Sequence, residues 1–183
     1  GTSSRTDVDR YVAAAFLASR GIPDIKSFIW IMLAFLGART FANAVNRIVD
    51  RQIDAENPRT ASRHLPAGII TVKEAKVIAG ISFALFVLGA VMLPKICIIL
   101  SPIAAVMMLL YSFTKRFTWL CHFFLGATCA CASFGGWLGI TGRFEWQMFP
   151  LAAANAAWVA GFDIIYAVQD IEHDNSHYLY SIP

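Results

Sequence analysis

Five long apolar segments, separated by short polar connectors, dominate the pattern of this chain. They are residues 27–49, 72–93, 96–110, 119–140 and 149–168. A helix needs about 20 mainly apolar residues to cross the hydrocarbon core of a bilayer, and the third segment reaches this length by continuing into the connector at 111–118. An earlier apolar stretch, 11–19, is too short to cross and is interpreted as a stub. The pattern predicts an all-α, multi-span transmembrane helical bundle.

The composition supports the same fold class. Hydrophobic residues make up 57% of the 183 residues and charged residues only 15%, whereas soluble domains average about 25% charged residues. A water-soluble globule is therefore disfavoured. The basic residues accompany helix ends, so we expect no binding of nucleic acid. The four cysteines lie inside apolar runs without paired metal-ligand spacing and are interpreted as buried small hydrophobes.

The connectors differ in charge from one side of the predicted bundle to the other. Eight Lys or Arg residues lie in the connectors at 47–76 and 111–118, and the connectors on the other side carry only Lys95 and Arg143. The positive-inside rule then places the basic connectors in the cytoplasm. We expect an integral, multi-pass protein of a bacterial or archaeal inner membrane.

A polar seam runs through the second half of the first span and past its end. Arg39, Asn43, Asn46 and Asp50 fall on one side of a helix, and Asp54 extends the four-residue spacing. Charged groups at mid-bilayer cost about 2.5–3.5 kcal/mol each on insertion scales, so they should face a protein interior or a wet cavity. The seam therefore predicts a site.

A second acidic pattern lies at the end of the last apolar segment. It contains Asp163, Tyr166, Asp170 and Asp174, and Asp170 and Asp174 are again four residues apart. Converging carboxylates repel each other, and a divalent cation removes that conflict. Mg²⁺ prefers oxygen ligands and often bridges carboxylates to phosphate. We predict Asn46, Asp50, Asp54, Asp170 and Asp174 as ligands of Mg²⁺.

Basic residues close to these acids indicate an anionic substrate. Arg59, Arg63, Lys115 and Arg116 could neutralise a diphosphate, the arginines in bidentate fashion. In a membrane this suggests a lipid diphosphate. If the lipid is allylic, ionisation of its C–O bond creates a carbocation. Tyr166 could stabilise that cation with its ring or hydrogen-bond the acceptor, or it could be an ordinary interfacial tyrosine.

Four motifs, taken together and in order, carry a family resemblance. They are Asn46-x-x-x-Asp50-x-x-x-Asp54, Arg59-Thr-x-x-Arg63-x-Leu-Pro-x-Gly, Tyr111-x-x-x-Lys115-Arg116 and Asp163-x-x-Tyr166-Ala-x-Gln-Asp170-x-x-x-Asp174. The set, over residues 20–183, resembles the UbiA superfamily of intramembrane aromatic prenyltransferases, most closely its 4-hydroxybenzoate polyprenyltransferase branch. Either acidic motif alone would be weak evidence.

The resemblance implies Mg²⁺-dependent transfer of a polyprenyl group from polyprenyl diphosphate to an aromatic acceptor in quinone biosynthesis. 4-Hydroxybenzoate, on the ubiquinone pathway, is the expected acceptor, and a dihydroxynaphthoate, on the menaquinone pathway, is the alternative. By likeness, Asp50, Asp170 and Tyr166 are expected to be catalytic. The expected substrate-binding residues are Asn43, Asn46, Arg59, Arg63, Lys115, Arg116 and Asp163.

The chain departs from the family pattern in two respects. His64 stands where the family usually has proline, and the family has nine spans where this sequence offers about five. We therefore expect a single membrane-embedded prenyltransferase domain over residues 1–183 that is truncated at the C-terminus and at the N-terminus.

Two other hypotheses remain open. A helical transporter that binds cations explains the acids but not the arginine-rich loop beside them. A non-catalytic remnant is the third possibility. The histidines, including His122, have ordinary interfacial or loop readings and receive no role.

Overall fold

The computed structural model describes residues 12–171, and in that range it consists of helices and turns without a β-strand. The helices are α1 (12–19), α2 (Ile25–Val49), α3 (Arg51–Glu56), α4 (Val72–Met92), α5 (Lys95–Thr114), α6 (Cys121–Thr141) and α7 (Met148–Ala167), with a 3₁₀ turn at Val168–Asp170. Five of them, α2, α4, α5, α6 and α7, are long and apolar enough to cross a membrane. The predicted all-α bundle with five full spans is confirmed.

Two of the spans begin at side-chain caps. Thr71 accepts a hydrogen bond from the backbone N–H of Glu74 at 3.2 Å, and the Glu74 carboxylate accepts one from the backbone N–H of Thr71 at 2.8 Å. This is the capping box that the sequence predicts at the start of α4. At the start of α2, the Asp24 carboxylate accepts from the backbone N–H of Ser27 at 3.0 Å.

Large apolar side chains cover the outside of the bundle. Ile99 on α5 and Ile165 on α7 are each 69% exposed, and Ile81 on α4 is 59% exposed. A water-soluble protein would bury many of these side chains, whereas lipid tails solvate them. The surface is therefore that of a membrane protein.

Small residues bring the spans into close contact. A Cβ on Gly37 of α2 would lie 2.5 Å from the backbone nitrogen of Phe86 on α4, and one on Gly89 of α4 would lie 2.7 Å from the Cβ of Ala34. On α6, a Cβ on Gly126 would collide with the backbone oxygen of Ala156 on α7. Small residues let helix backbones approach each other, which favours association inside a membrane.

One end of the bundle gathers the polar segments. The connector between α5 and α6 reaches the end of α2, where Arg116 Nη2 donates to the backbone oxygen of Val49 at 3.0 Å. The start of α6 meets the last third of α7, where His122 contacts Asp163. The two acidic segments of the sequence therefore approach the same end, which we call the polar end.

The spanning helix α5 contains a proline. Pro102 lacks an N–H, so it cannot bond the carbonyl four residues earlier, at Ile98. The hydroxyl of Ser101 donates to that oxygen at 2.9 Å instead.

Candidate active site

A large cavity lies among the spans and reaches toward the polar end, where Asn43, Tyr111 and Asp163 are among its lining residues. Its volume is about 740 Å³, within the range of about 300–1,000 Å³ that ligand pockets occupy. Most of its lining is apolar, with Phe134, Phe149 and Phe162 among the side chains. Its polar lining residues include Arg39, Asn43, Ser101, Tyr111, Thr128, Asn155 and Asp163. The cavity can therefore hold a mainly apolar molecule with a few polar groups.

Asp50 stands at the end of α2 with two partners. The amide Nδ2 of Asn46 donates to Asp50 Oδ2 at 2.9 Å. From the α5–α6 connector, Arg116 Nη2 approaches Asp50 Oδ1 at 3.5 Å while it bonds the Val49 carbonyl. A cation near the C-terminus of a helix is favoured by the helix dipole. Arg116 thus joins the end of α2 to the connector that carries it.

Asp54 is the more enclosed of the two acids. Its side chain is 10% exposed and lies between two guanidinium groups, with Arg63 Nη1 at 2.6 Å and Arg47 Nη1 at 3.4 Å. The hydroxyl of Thr60 also donates to the Asp54 backbone oxygen at 2.8 Å. These contacts fold the loop after α3 back onto that helix, so Arg63 is held over the first acidic motif.

The first acidic motif differs from its prediction in one respect. The sequence placed Asn46, Asp50 and Asp54 on one continuous helix, but α2 ends at Val49 and Asp50 joins it to the short helix α3. At Asp50, φ is −91° and ψ is 8°, outside the α-helical range. The backbone bonds from Asp50 to Asn46 and from Asp54 to Asp50 persist at 2.9 and 2.7 Å. The junction leaves Asp50 more open and Asp54 enclosed by arginines.

The charges around Asp50 act in opposite directions. Burial raises the pKa of its carboxyl above the ordinary value, and Arg116 opposes that rise. The Asp54 carboxylate raises the pKa further by repulsion, while Lys115 lowers it. The predicted site residues Lys115 and Arg116 are therefore both close enough to act on Asp50.

The second acidic motif is described as far as Tyr166. Asp163 Oδ2 lies 2.8 Å from His122 Nδ1, and Asp163 lines the cavity. Tyr166 is 45% exposed and its ring packs against Phe162 with centroids 4.9 Å apart. Among the described residues, the cavity lining includes Phe162 and Asp163 but not Tyr166. The side chain of Asp170 and the whole of Asp174 lie outside the described part.

The remaining predicted residues are split between cavity and loop. Asn43 lines the cavity, one helical turn below Asn46. Arg59 is exposed on the loop, where its backbone N–H donates to Asn57 Oδ1 at 2.9 Å. His64 is also exposed on that loop. The functional roles that the sequence suggests for these residues stay predictions.

Two residues at the polar end and one deeper in the cavity received no assigned role from the sequence. Arg47 pairs with Asp54 seven residues later, beyond the three- or four-residue spacing at which side chains on one helix are neighbours. Arg39 lines the cavity, as its place in the polar seam suggested. His122 contacts a residue 41 positions later. No local pattern could have identified that pairing.

The donor set suits magnesium although the metal site is incomplete within the described range. Among residues 12–171, no three His, Cys, Asp or Glu side chains come together as a metal site. The described acids nevertheless offer what Mg²⁺ prefers, since Asp50, Asp54 and the Asn46 amide provide oxygen donors at one end of the bundle. The predicted partners Asp170 and Asp174 would have to complete the set.

Comparison with known proteins agrees with the four motifs. A model of the UbiA prenyltransferase family matches residues 11–183. The 4-hydroxybenzoate octaprenyltransferase of Shewanella sediminis is 33% identical over 162 residues, which cover 88% of this chain and 56% of that protein. The chain thus spans little more than half the length of this curated relative.

Solved structures show the same fold. The apo structure of a UbiA homolog from Aeropyrum pernix K1 has a TM-score of 0.84 and 35% sequence identity, covering 95% of this chain and 66% of that chain. A UbiA homolog from Archaeoglobus fulgidus, solved with GPP and Mg²⁺, has a TM-score of 0.76 and 21% identity and covers 95% of this chain and 62% of that one. The second likeness bears on the fold alone.

Proposed function

This chain belongs to the UbiA prenyltransferase family, and from that premise we propose that it transfers a polyprenyl group from polyprenyl diphosphate to an aromatic acceptor. We favour 4-hydroxybenzoate as the acceptor because curated relatives are 4-hydroxybenzoate octaprenyltransferases. A dihydroxynaphthoate is the second choice. We also propose that the polar end faces the cytoplasm, on the charge asymmetry of the connectors.

One observation carries this proposal: acids and arginines gather at the polar end, next to a mainly apolar cavity. Asp50 and Asp54 lie with Arg63 and Arg116 at one end, and the mainly apolar cavity of about 740 Å³ extends beneath them. A substrate with a charged head and a long hydrocarbon tail matches that division. The arrangement does not match a simple ion path, because a metal cation gains nothing from the arginines.

The residues at the polar end would bind the diphosphate head. Arg63 and Arg116 present guanidinium groups that can each form two parallel hydrogen bonds to phosphate oxygens. Asn46, Asp50 and Asp54, together with Asp170 and Asp174, would hold magnesium. When bound, that ion stabilises negative charge on the departing diphosphate.

The cavity would shelter the reacting carbon. In the transfer, the allylic C–O bond breaks and its electron pair leaves with the diphosphate. A ring carbon of the acceptor forms the new C–C bond, and the ring C–H proton departs to restore aromaticity. Aromatic side chains such as Phe162 and Tyr111 can stabilise positive charge by their π-faces. The apolar lining also excludes water, which would capture the cation instead.

Transfer in membranes tests the proposal. The protein is expressed from its gene, and membranes are incubated with radiolabelled polyprenyl diphosphate, 4-hydroxybenzoate or 1,4-dihydroxy-2-naphthoate, and Mg²⁺. We expect prenylated hydroxybenzoate that disappears with EDTA and returns with added Mg²⁺. Transfer to the naphthoate alone would select the second acceptor. Cation flux without transfer to either acceptor would reject the prenyltransferase function in favour of a transporter.

A further inference from the structure

His122 contacts Asp163 from a fully buried position behind the cavity wall. Its side chain is 0% exposed, and its Nδ1 lies 2.8 Å from Oδ2 of Asp163, whose side chain is 30% exposed. A carboxylate oxygen can only accept a hydrogen bond, so Nδ1 carries the hydrogen in this pair. Burying an imidazole is unfavourable unless its polar atoms are bonded. The position therefore calls for a reason.

The packing of α6 against α7 fixes where the pair stands. Gly126 lets the backbone of α6 touch Ala156 on α7. Further along the same interface, Asn155 Nδ2 donates to the Cys129 backbone oxygen and to Ser133 Oγ, both at 3.0 Å. The two helices run antiparallel, so these contacts hold His122 opposite Asp163. The imidazole has little freedom to move.

Asp163 stands between the imidazole and the cavity. It lines the cavity together with Tyr111 and Phe162, whereas His122 is not part of the lining among the described residues. Asp163 therefore presents a carboxylate to the cavity near the polar end, with His122 supporting it from the protein side.

The position of Asp163 along the axis of α7 is compatible with contact to the aromatic acceptor. It precedes Asp170 by seven residues, or about 10 Å of helix at 1.5 Å per residue. The acceptor ring must lie next to the allylic carbon, just beneath the diphosphate. A phenolic hydroxyl there needs a hydrogen-bond acceptor, because a polar group left unpaired in an apolar site is costly.

We propose that Asp163 accepts a hydrogen bond from the hydroxyl of the aromatic acceptor and that His122 is the positioning residue which holds the Asp163 carboxylate in place. This inference rests on the proposed function, since it assigns the acceptor subsite within it. His122 does not touch the substrate. Its N–H fixes one carboxylate oxygen, which leaves the other directed to the acceptor.

Three substitutions at His122 separate positioning from simple packing. In His122→Asn, the amide Nδ2 occupies nearly the place of the imidazole Nδ1 and can still donate to Asp163. His122→Leu fills similar space without a donor. His122→Gln carries its donor one bond further from the backbone, near the place of Nε2. Ser133→Ala is the control, because it removes a buried hydrogen bond from the same interface outside the cavity lining.

The measurements are the KM values for both substrates, kcat, and binding of 4-hydroxybenzoate to purified protein by equilibrium dialysis. We expect His122→Leu and His122→Gln to raise the acceptor KM and Kd by about tenfold or more, as loss of a hydrogen bond to a charged group does. The KM for the prenyl diphosphate should stay within about twofold. His122→Asn should lie within about threefold of the wild type, and Ser133→Ala should bind the acceptor normally.

The alternatives give different results. Equal losses in His122→Asn and His122→Leu would make His122 a structural residue and overturn the proposal. So would an unchanged acceptor Kd in His122→Leu, or a parallel rise in the KM of the diphosphate. If His122→Leu does not insert, the contrast between the Asn and Gln variants decides. Failure of the proposed function gives a different result from failure of the role proposed for His122. In that case the wild-type protein would bind 4-hydroxybenzoate without transferring a prenyl group to it, or would neither bind nor transfer.

Discussion

Asp54 and Asp163 are two carboxylates that the chain holds in different ways. Asp54 lies between Arg47 and Arg63, which are seven and nine residues away in sequence. Asp163 contacts His122, which is 41 residues away and belongs to another span. The first arrangement is local in sequence and uses the long, positively charged side chains of two arginines at the edge of the membrane. The second arises only when α6 and α7 pack.

The difference suggests that the two acidic segments serve different parts of the substrate pair. Guanidinium groups on a loop can redirect their hydrogen bonds to an arriving phosphate, because long side chains have many rotamers. The imidazole of His122, which is enclosed between two helices, cannot redirect its hydrogen bond in this way. Changes near Asp54 should therefore alter binding of the diphosphate, whereas changes along α6 and α7 should alter what the cavity accepts.

The largest effect is expected at Asp50, the most open acid of the local arrangement. Asp50→Asn removes a negative charge that the predicted metal site needs. We expect kcat for prenyl transfer to fall by about 100- to 1,000-fold, the usual loss when a preorganised electrostatic group is removed. Asp24→Asn, at the opposite end of α2, keeps a good N-cap and should transfer normally. An Asp50→Asn variant with near wild-type kcat would remove Asp50 from the catalytic set.

A smaller effect is expected from the loop cation. Arg63→Gln removes the shorter of the two ion pairs of Asp54 but leaves Arg47 in place. We expect the KM for the prenyl diphosphate to rise about tenfold, because one charge-assisted contact is lost. The acceptor KM should not change. Arg143→Gln breaks an exposed ion pair at the other end and should have little effect. A selective rise in acceptor KM would contradict the separate roles of the two acidic segments.

The length of the cavity can be tested at Gly135 on α6. A Cβ at this position meets no atom within 4 Å, and the residue lines the cavity. It lies 13 residues beyond His122, or about 20 Å along the helix. Gly135→Leu should reduce kcat/KM for a long polyprenyl diphosphate about tenfold while sparing geranyl diphosphate, because it fills space that only a long chain reaches.

Two other glycines provide the matched controls for Gly135. Gly80 and Gly161 also lie within spans and have open space at Cβ, but neither lines the cavity in the described range. Leucine at either position changes the helix propensity in the same way. With these variants, the ratio of kcat/KM for the long polyprenyl diphosphate to that for geranyl diphosphate should equal the wild-type ratio. If all three leucine variants lose the long donor equally, the cavity does not set chain length.

The smallest effect is expected at the capping box of α4. Thr71→Ala removes the side-chain acceptor for the backbone N–H of Glu74, at a cost of about 1 kcal/mol in stability. Thermal unfolding in detergent should shift slightly downward, with both KM values unchanged. The cap follows directly on the loop that carries Arg63, so a raised KM for the diphosphate would mean that the cap also positions that loop.

The sequence predicted the spans well because their signal is local. Residues 72–93 were expected and α4 covers Val72–Met92, since hydrophobic length and the Thr71–Glu74 pattern both lie within one segment. The break at Asp50 was not predicted. The residues around Asp50 are compatible with a continuous helix, so the sequence gives no sign of a break. In the structure, Arg116 and the loop after α3 contact the backbone on either side of the junction.

The site was predictable in part for the same reason. Four-residue spacing identified Asn46 and Asp50, which do contact each other. Spacing could not show that Arg63 would fold back onto Asp54, or that His122 would meet Asp163 across an interface. Such pairings depend on packing between distant segments, and hydrophobic periodicity within one segment carries no information about them.

Ser101, which precedes Pro102 in α5, affects the wall of the cavity. Ser101 and Ile103 both face the cavity, and the Ser101 hydroxyl supplies the bond that Pro102 withholds from Ile98. In hydrocarbon no solvent is at hand to satisfy a bare carbonyl. The side chain does here what a trapped water would otherwise do. Under the proposed chemistry, this keeps a small competing nucleophile away from the electrophilic carbon.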